Sequence, residues 1–211
     1  DWAITESLHV LPGLRYNYDK KAADYDRKTY GGLQTTDPAL IALKKLVYTD
    51  QSFTSDTDDT DFSGNLTVSY KATDKINAYA TYAKSYKPVG VNVAGLPSIA
   101  GQPALDLAVI KPENVNHYEF SVKTSPLKNS ILNLTFFNTD IKDFQTNVQA
   151  AELGVNRGYL ANADKVRVKG AELDASFKIN NHLSVYGAVT YTDGKYVKCT
   201  NAPLPVEDTG S

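Results

Sequence analysis

The sequence predicts an all-β fold: an antiparallel transmembrane β-barrel wall segment of about seven strands. Three observations carry that expectation. Apolar and polar residues alternate with period two over long runs, the pattern of strands with two unlike faces. Short turns and long connections alternate between those runs, as in bacterial outer-membrane barrels. Fourteen tyrosines accompany a mean hydropathy of −0.35, a combination suited to aromatic girdles around a wet interior.

The clearest element is residues 113–148, read as one hairpin about a Ser125–Asn129 turn. In its first arm Tyr118, Phe120 and Val122 share a face, opposed by Glu119, Ser121 and Lys123. In the second arm Leu132, Leu134 and Phe136 oppose Asn133, Thr135 and the ambiguous Phe137. Each arm matches the roughly 9–11 residues that a tilted strand needs to cross a bilayer. Aromatics near the strand ends fit interfacial girdles.

Taken in order, residues 1–4 read as the tail of an earlier strand and residues 5–7 as its turn. Residues 8–19 alternate, with Leu8, Val10, Leu14, Tyr16 and Tyr18 on one face. Pro12 lacks an amide donor and argues against a fully paired position there without a bulge. Residues 20–60 break the alternation and read as a long connection. Within it, Asp37-Pro38 before ALIALKKL fits an N-cap, a proline at the first helical position and a short amphipathic helix. The acidic run from Ser55 to Asp61 offers hard oxygen ligands. It lacks the glycine and terminal glutamate of a calcium loop and reads as a solvated loop.

The next hairpin covers residues 62–87, turning at 72–75. Leu66, Val68 and Tyr70 share one face of the first arm, and in the second Ile76, Ala78, Ala80 and Tyr82 oppose Asn77, Tyr79 and Thr81. Residues 87–112, with prolines at 88, 97, 103 and 112, form a second long connection, and residues 149–162 a third. The last hairpin covers about 163–197. There the polar positions switch from odd (Lys165, Arg167, Lys169) to even (Glu172, Asp174) at Gly170. A one-residue slip inverts both faces, so a β-bulge at Gly170 is expected.

Composition bounds the function. A net charge of −2 over 211 residues leaves no basic footprint for nucleic acid. No apolar run reaches the length of a transmembrane helix. The chain begins at Asp1 and contains no methionine, so it reads as an internal piece of a longer protein. His9, His117 and His182 fall on different strands or turns, with no ligand at metal spacing. No catalytic constellation, no metal site and no cofactor are expected.

Five motifs in succession resemble the barrel strands of TonB-dependent outer-membrane receptors. They are Pro12-Gly13-Leu14-Arg15-Tyr16; the run from Tyr79 to Lys87, YATYAKSYK; and Pro112-Glu113 leading to Tyr118-Glu119-Phe120-Ser121-Val122-Lys123. The last two are Phe136-Phe137-Asn138 with Asp143-Phe144-Gln145, and Lys169-Gly170-Ala171-Glu172-Leu173. The resemblance covers nearly the whole chain. It implies a 22-stranded, plugged barrel, of which residues 1–211 form about a third as one barrel domain. The family's plug, TonB-contacting box and closing strand are not among these residues. The resemblance also implies a bacterial outer-membrane location, TonB-energised uptake and a scarce nutrient as cargo, most often a ferric siderophore. Glycan import is the alternative cargo reading; a soluble β-rich binding module is the alternative of another class.

For ligand contact the sequence offers lumen and loop candidates. Arg15, Lys123, Arg167, Lys169, Glu172 and Asp174 read as lumen charges that touch plug or ligand, or else as solvated wall residues. In the loops, residues 89–95 with Asn92 offer backbone donors, and Tyr86 and Tyr159 offer rings, or else belong to a mobile tip and a girdle. Cys199 is unpaired within the sequence. An oxidising compartment implies a disulfide partner beyond Ser211.

Overall fold

The computed structural model describes residues 1–28, 30–31, 34–47, 50–99, 102–149 and 158–200. One antiparallel sheet dominates. Its strands are β1 (Trp2–Ala3), β2 (Leu8–Arg27), β3 (Gln51–Thr73), β4 (Ile76–Lys87), β9 (Glu113–Thr124), β10 (Ser130–Gln149), β11 (Gly158–Lys178) and β12 (Ser184–Lys198), adjacent in that order. The seven long strands are those expected, and β1 is the stub read at the N-terminus. Between β4 and β9 the chain makes two small ladders. One joins β5 (Gly90–Val91) to β8 (Val109–Ile110), and the other joins β6 (Ser98–Ile99) to β7 (Gln102–Pro103).

The expected helix α1 occupies Pro38–Val47, with Asp37 Oδ1 accepting from the Ala39 and Leu40 amides at 2.8 and 3.4 Å. An aspartate cap followed by proline satisfies first-turn donors where proline lacks one. Pro12 also resolves locally. The Lys71 amide donates to the Ser7 carbonyl, which makes odd residues of β2 the hydrogen-bonded partners of β3. The missing donor at Pro12 therefore points away from β3, where β1 reaches only His9 and Val10.

Register divides the sheet into two faces. Val68, Ala80, Phe120, Phe136, Ala171 and Tyr191 are successive cross-strand neighbours. The side chains of Tyr16, Phe62, Tyr118, Phe120, Phe136 and Tyr191 stand exposed on that face, as a lipid-facing band requires. Tyr16 meets Phe62 and Tyr82 meets Tyr118, each with ring centroids 5.2 Å apart. From Phe62 down to Tyr70 the band spans about 20 Å, taking about 3.3 Å per residue and a tilt of about 40°. Its upper edge cuts across the rungs. Leu66, not Phe62, is level with Tyr82, as tilted strands crossing a level membrane demand. The opposite face is hydroxyl-rich: Thr67 Oγ1 lies 2.8 Å from Thr81 Oγ1, Ser121 Oγ lies 2.8 Å from Thr135 Oγ1, and Tyr79 donates to Glu119 at 2.7 Å.

Three expectations fail, all for one reason. Residues 20–27 and 51–61 are strand, not loop: β2 and β3 stay in unbroken register from Leu8↔Tyr70 to Arg27↔Gln51. The acidic run is thus the upper part of β3, with Asp56 and Asp58 on one face and Asp59 and Asp61 on the other. Likewise β11 begins at Gly158, within the expected third connection. Nor does Gly170 form a bulge. It pairs directly with Phe137 and Thr192, and the register shift lies at Lys165/Val166 against β12. The switch in polarity has another cause. Ala171 and Leu173 lie in the apolar band, while Lys169, Arg167 and Lys165 continue the same face above it. Arg167 and Lys169 are therefore outward residues, not lumen charges. Above the membrane both faces are wet, so alternation of apolar and polar residues ceases while the ladder continues.

Gly170 is small for a packing reason. A Cβ there would lie 2.2 Å from the Tyr191 carbonyl oxygen and 2.6 Å from Phe137 Cζ, so the Phe137 ring packs over the glycine. Two outcomes are expected in the whole protein refolded into bilayers. Phe120→Arg costs about 2–4 kcal/mol by denaturant titration, whereas Glu172→Arg on the wet face costs under about 1 kcal/mol. Gly170→Val costs about 1–3 kcal/mol, whereas Gly158→Ala, where the nearest atom is 3.7 Å away, is near neutral.

Candidate functional site

The polar face at the long-connection end is the candidate site, and residues 88–99 and 102–112 make its distinctive feature. This connection folds back over the polar face as a ledge. Phe53, Leu96 and Ala108 form a small buried cluster, with Tyr25 and Leu107 packed against it. Tyr25 and Phe53 stack with centroids 4.9 Å apart.

Amide side chains fasten the ledge to the wall. Gln51 Nε2 donates to the Leu96 carbonyl at 2.9 Å, and Gln51 Oε1 accepts from the Leu96 amide at 2.8 Å. Asn92 donates to the Leu107 and Leu160 carbonyls and accepts from the Leu160 amide. Gln145 Nε2 donates to the Pro88 and Lys111 carbonyls, both at 3.0 Å. Asn162 Nδ2 donates to the Lys111 and Asp143 carbonyls, while Asn162 Oδ1 accepts from the Lys111 amide. A primary amide offers donors and acceptors together and so replaces the backbone partner that an irregular segment lacks. Glu113 completes the set, accepting from the Gln145 amide at 2.8 Å and from Lys87 Nζ at 3.2 Å.

Beside the ledge, β4 parts from β3 above the Gly64–Lys84 rung. Two side chains bridge the gap: Lys84 Nζ reaches Asp61 Oδ1 at 2.8 Å, and the Tyr86 hydroxyl donates to Asp19 Oδ2. Asp19 and Asp59 are directly opposed in register, and Asp59 Oδ2 is enclosed without a hydrogen-bond partner among the described residues. Arg15, two rungs below Asp19, is exposed opposite Ser63. The rim thus presents a guanidinium and a phenol already donating to a carboxylate.

The expected site residues separate accordingly. Arg15 and Tyr86 share this rim, although Tyr86 lies in β4 rather than in a loop. Asn92 is 2 % exposed and has its side chain fully engaged; it is a fastening, not a ligand contact on a mobile tip. Tyr159 lies in β11 opposite Val148, and Glu172 lies on the polar wall opposite Thr135. Lys123 is far from the rim, near the short-turn end, with Nζ 5.3 Å from the Tyr79 ring centroid. Arg167 faces outward, gripping Asp140 at 2.6 and 3.0 Å. Cys199 is exposed and free among the described residues. Gln51, Gln145 and Asn162 were not singled out from sequence. Gln51 and Leu96, for instance, lie 45 residues apart, beyond any local motif.

The family described as "TonB dependent receptor-like, beta-barrel" matches residues 1–209. The pesticin receptor of Yersinia enterocolitica is 25 % identical over 84 % of the chain, which corresponds to 22 % of that receptor. A probable TonB-dependent siderophore receptor of Acinetobacter baumannii is 28 % identical over 62 % of the chain and 17 % of its own length. Among solved structures, the ferric yersiniabactin uptake receptor of Yersinia pestis superposes with a TM-score of 0.65 at 20 % identity. That superposition covers 93 % of this chain and 26 % of that receptor. The chain therefore spans about a sixth to a quarter of the length of these proteins.

Replacing Asn92 with alanine leaves backbone groups of Leu107 and Leu160 unpaired, at about 1–3 kcal/mol. Hydrogen exchange on the whole protein should show the Leu160 amide and residues 88–112 exchanging at least about tenfold faster. Strand amides of β9 and β10 should keep their protection.

Proposed function

The chain belongs to the TonB-dependent receptor-like β-barrel family of the bacterial outer membrane, and on that premise we propose that its parent protein imports a ferric siderophore. The observation that carries this reading is the pairing of a lipid-facing band with a polar inner face whose long-connection end bears a fastened ledge. A bulky, hydrated cargo needs a wide wet lumen rather than a filled core, and it needs recognition groups held at the outer mouth.

In this reading the inner wall lines the route, and the rim near Arg15 and Tyr86 makes first contact with the ferric complex. The guanidinium supplies charge-assisted donors to a complex rich in anionic oxygen. The ledge narrows the mouth and fixes the approach. Energy reaches the lumen through a plug worked by TonB, both outside residues 1–211. The relatives' names support ferric-siderophore cargo over oligosaccharide: a siderophore receptor and a ferric yersiniabactin uptake receptor are among them.

The test is transport by the whole receptor in cells lacking other iron receptors. Radiolabelled ferric siderophores are expected to accumulate only when TonB is present. Arg15→Ala should raise the half-saturating concentration roughly tenfold, the weight of one charge-assisted hydrogen bond. Uptake of labelled oligosaccharides with no transport of any ferric complex would overturn the cargo assignment.

A further inference from the structure

On the polar face of β9, below the ledge, His117 and Glu119 stand side by side. No metal motif surrounds His117 in the sequence, yet a strand sets residues two apart on one face. Their neighbours are Thr139 and Phe137 on β10, and Ala83 and Thr81 on β4. His117 Nε2 lies 3.6 Å from Glu119 Oε2. Both side chains remain open on that face, at 31 and 27 % exposed.

The far atom of each group is already held. His117 Nδ1 lies 2.8 Å from Thr139 Oγ1, and Glu119 Oε1 accepts from the Tyr79 hydroxyl at 2.7 Å. A protonated Nε2 would draw Oε2 into hydrogen-bond range, below about 3.2 Å. The gap is wider than that, so Nδ1–H donates to Thr139 and Nε2 turns its lone pair toward the carboxylate. No other hydrogen bond reaches Nε2 or Oε2 among the described residues. Two acceptors therefore face each other, an arrangement that a shared cation stabilises.

The spacing fits a metal ion. Imidazole nitrogen and carboxylate oxygen bind a zinc-sized cation at about 2.0–2.2 Å. At a tetrahedral angle two such donors stand about 3.4 Å apart, close to the 3.6 Å found. The two outer hydrogen bonds are those that ligating groups carry, the second ring nitrogen donating and the second carboxylate oxygen accepting. An imidazole beside a carboxylate favours first-row transition metals over calcium or magnesium. Among the described residues no third histidine, cysteine or carboxylate joins them, which leaves the other coordination positions to water or a lumen-borne ligand.

We propose that His117 and Glu119 form an open site for a divalent first-row transition-metal cation on the inner wall. Thr139 and Tyr79 are positioning residues: one fixes the imidazole tautomer, the other the carboxylate. The assignment requires the polar face to line the lumen and is independent of the imported cargo.

The whole receptor, purified in detergent without a histidine tag and freed of metal by chelator, is titrated with copper(II) chloride. Binding is read by calorimetry and by electron paramagnetic resonance. Wild type should bind one equivalent more than His117→Gln, with a signal split by an imidazole nitrogen that the variant lacks. Glu119→Gln should weaken that equivalent at least about tenfold. Thr139→Val and Tyr79→Phe, which keep both ligands, should each weaken it about tenfold and keep the test alive if the ligand variants misfold. His182→Gln, on an exposed turn, should change nothing. Manganese(II) should bind more weakly than copper(II). Equal copper binding by wild type and all four inner-wall variants overturns the assignment. So does a copper signal without imidazole nitrogen, or displacement of the copper by millimolar calcium.

Discussion

Backbone amides and carbonyls cannot go unpaired in hydrocarbon, and the rest of this structure follows from that requirement. It forces the chain into long neighbouring strands with uninterrupted ladders, such as the pairing of β2 with β3 from Leu8↔Tyr70 to Arg27↔Gln51. Once the ladder is continuous, each strand has only two faces to distribute. Lipid takes Tyr118, Phe120, Leu134 and Phe136; the polar face takes Glu119, Ser121 and Thr135. Even Pro12 obeys the rule, because its missing donor faces the side where β1 has already ended.

The membrane-crossing part of the fold was legible in the sequence because only there do the two faces meet different solvents. Period-two alternation records that difference and nothing else. Where a strand rises past the headgroups, both faces meet water and the pattern disappears, though the hydrogen bonds do not. This is why residues 20–27 and 51–61 read as loop and are strand. It is also why the polarity switch at Gly170 read as a slip in register. Lys169 and Leu173 share a face, separated by the edge of the bilayer rather than by a bulge. The helix was legible for a different reason: Asp37-Pro38 caps it by purely local chemistry.

The site was less legible, because its connections are long-range. Arg15 stands out in the sequence as a lumen charge and Tyr86 as a loop or girdle ring. Their common rim depends on β4 separating from β3 above Gly64, which no local pattern announces. The fastenings of the ledge were missed or misread for the same reason. Asn92 reaches Leu160, 68 residues away, and an asparagine in a small-residue loop looks no different whether it fastens that loop or tips it.

These two kinds of attachment give the extracellular end two mechanical characters. Arg15, Asp19, Asp61, Lys84 and Tyr86 stand on strands whose ladders continue into the membrane, so displacing them means breaking backbone pairing shared with the wall. The ledge is joined mainly by side-chain amides and one small apolar cluster of Phe53, Leu96 and Ala108. Segments with few buried apolar contacts open at a fraction of the global free energy. On the proposed reading, a cargo arriving at the mouth can therefore repack the ledge while the wall and its rim of charges stay fixed. Recognition by a rigid rim and accommodation by a separately fastened ledge is the division of labour that this pattern of hydrogen bonds permits.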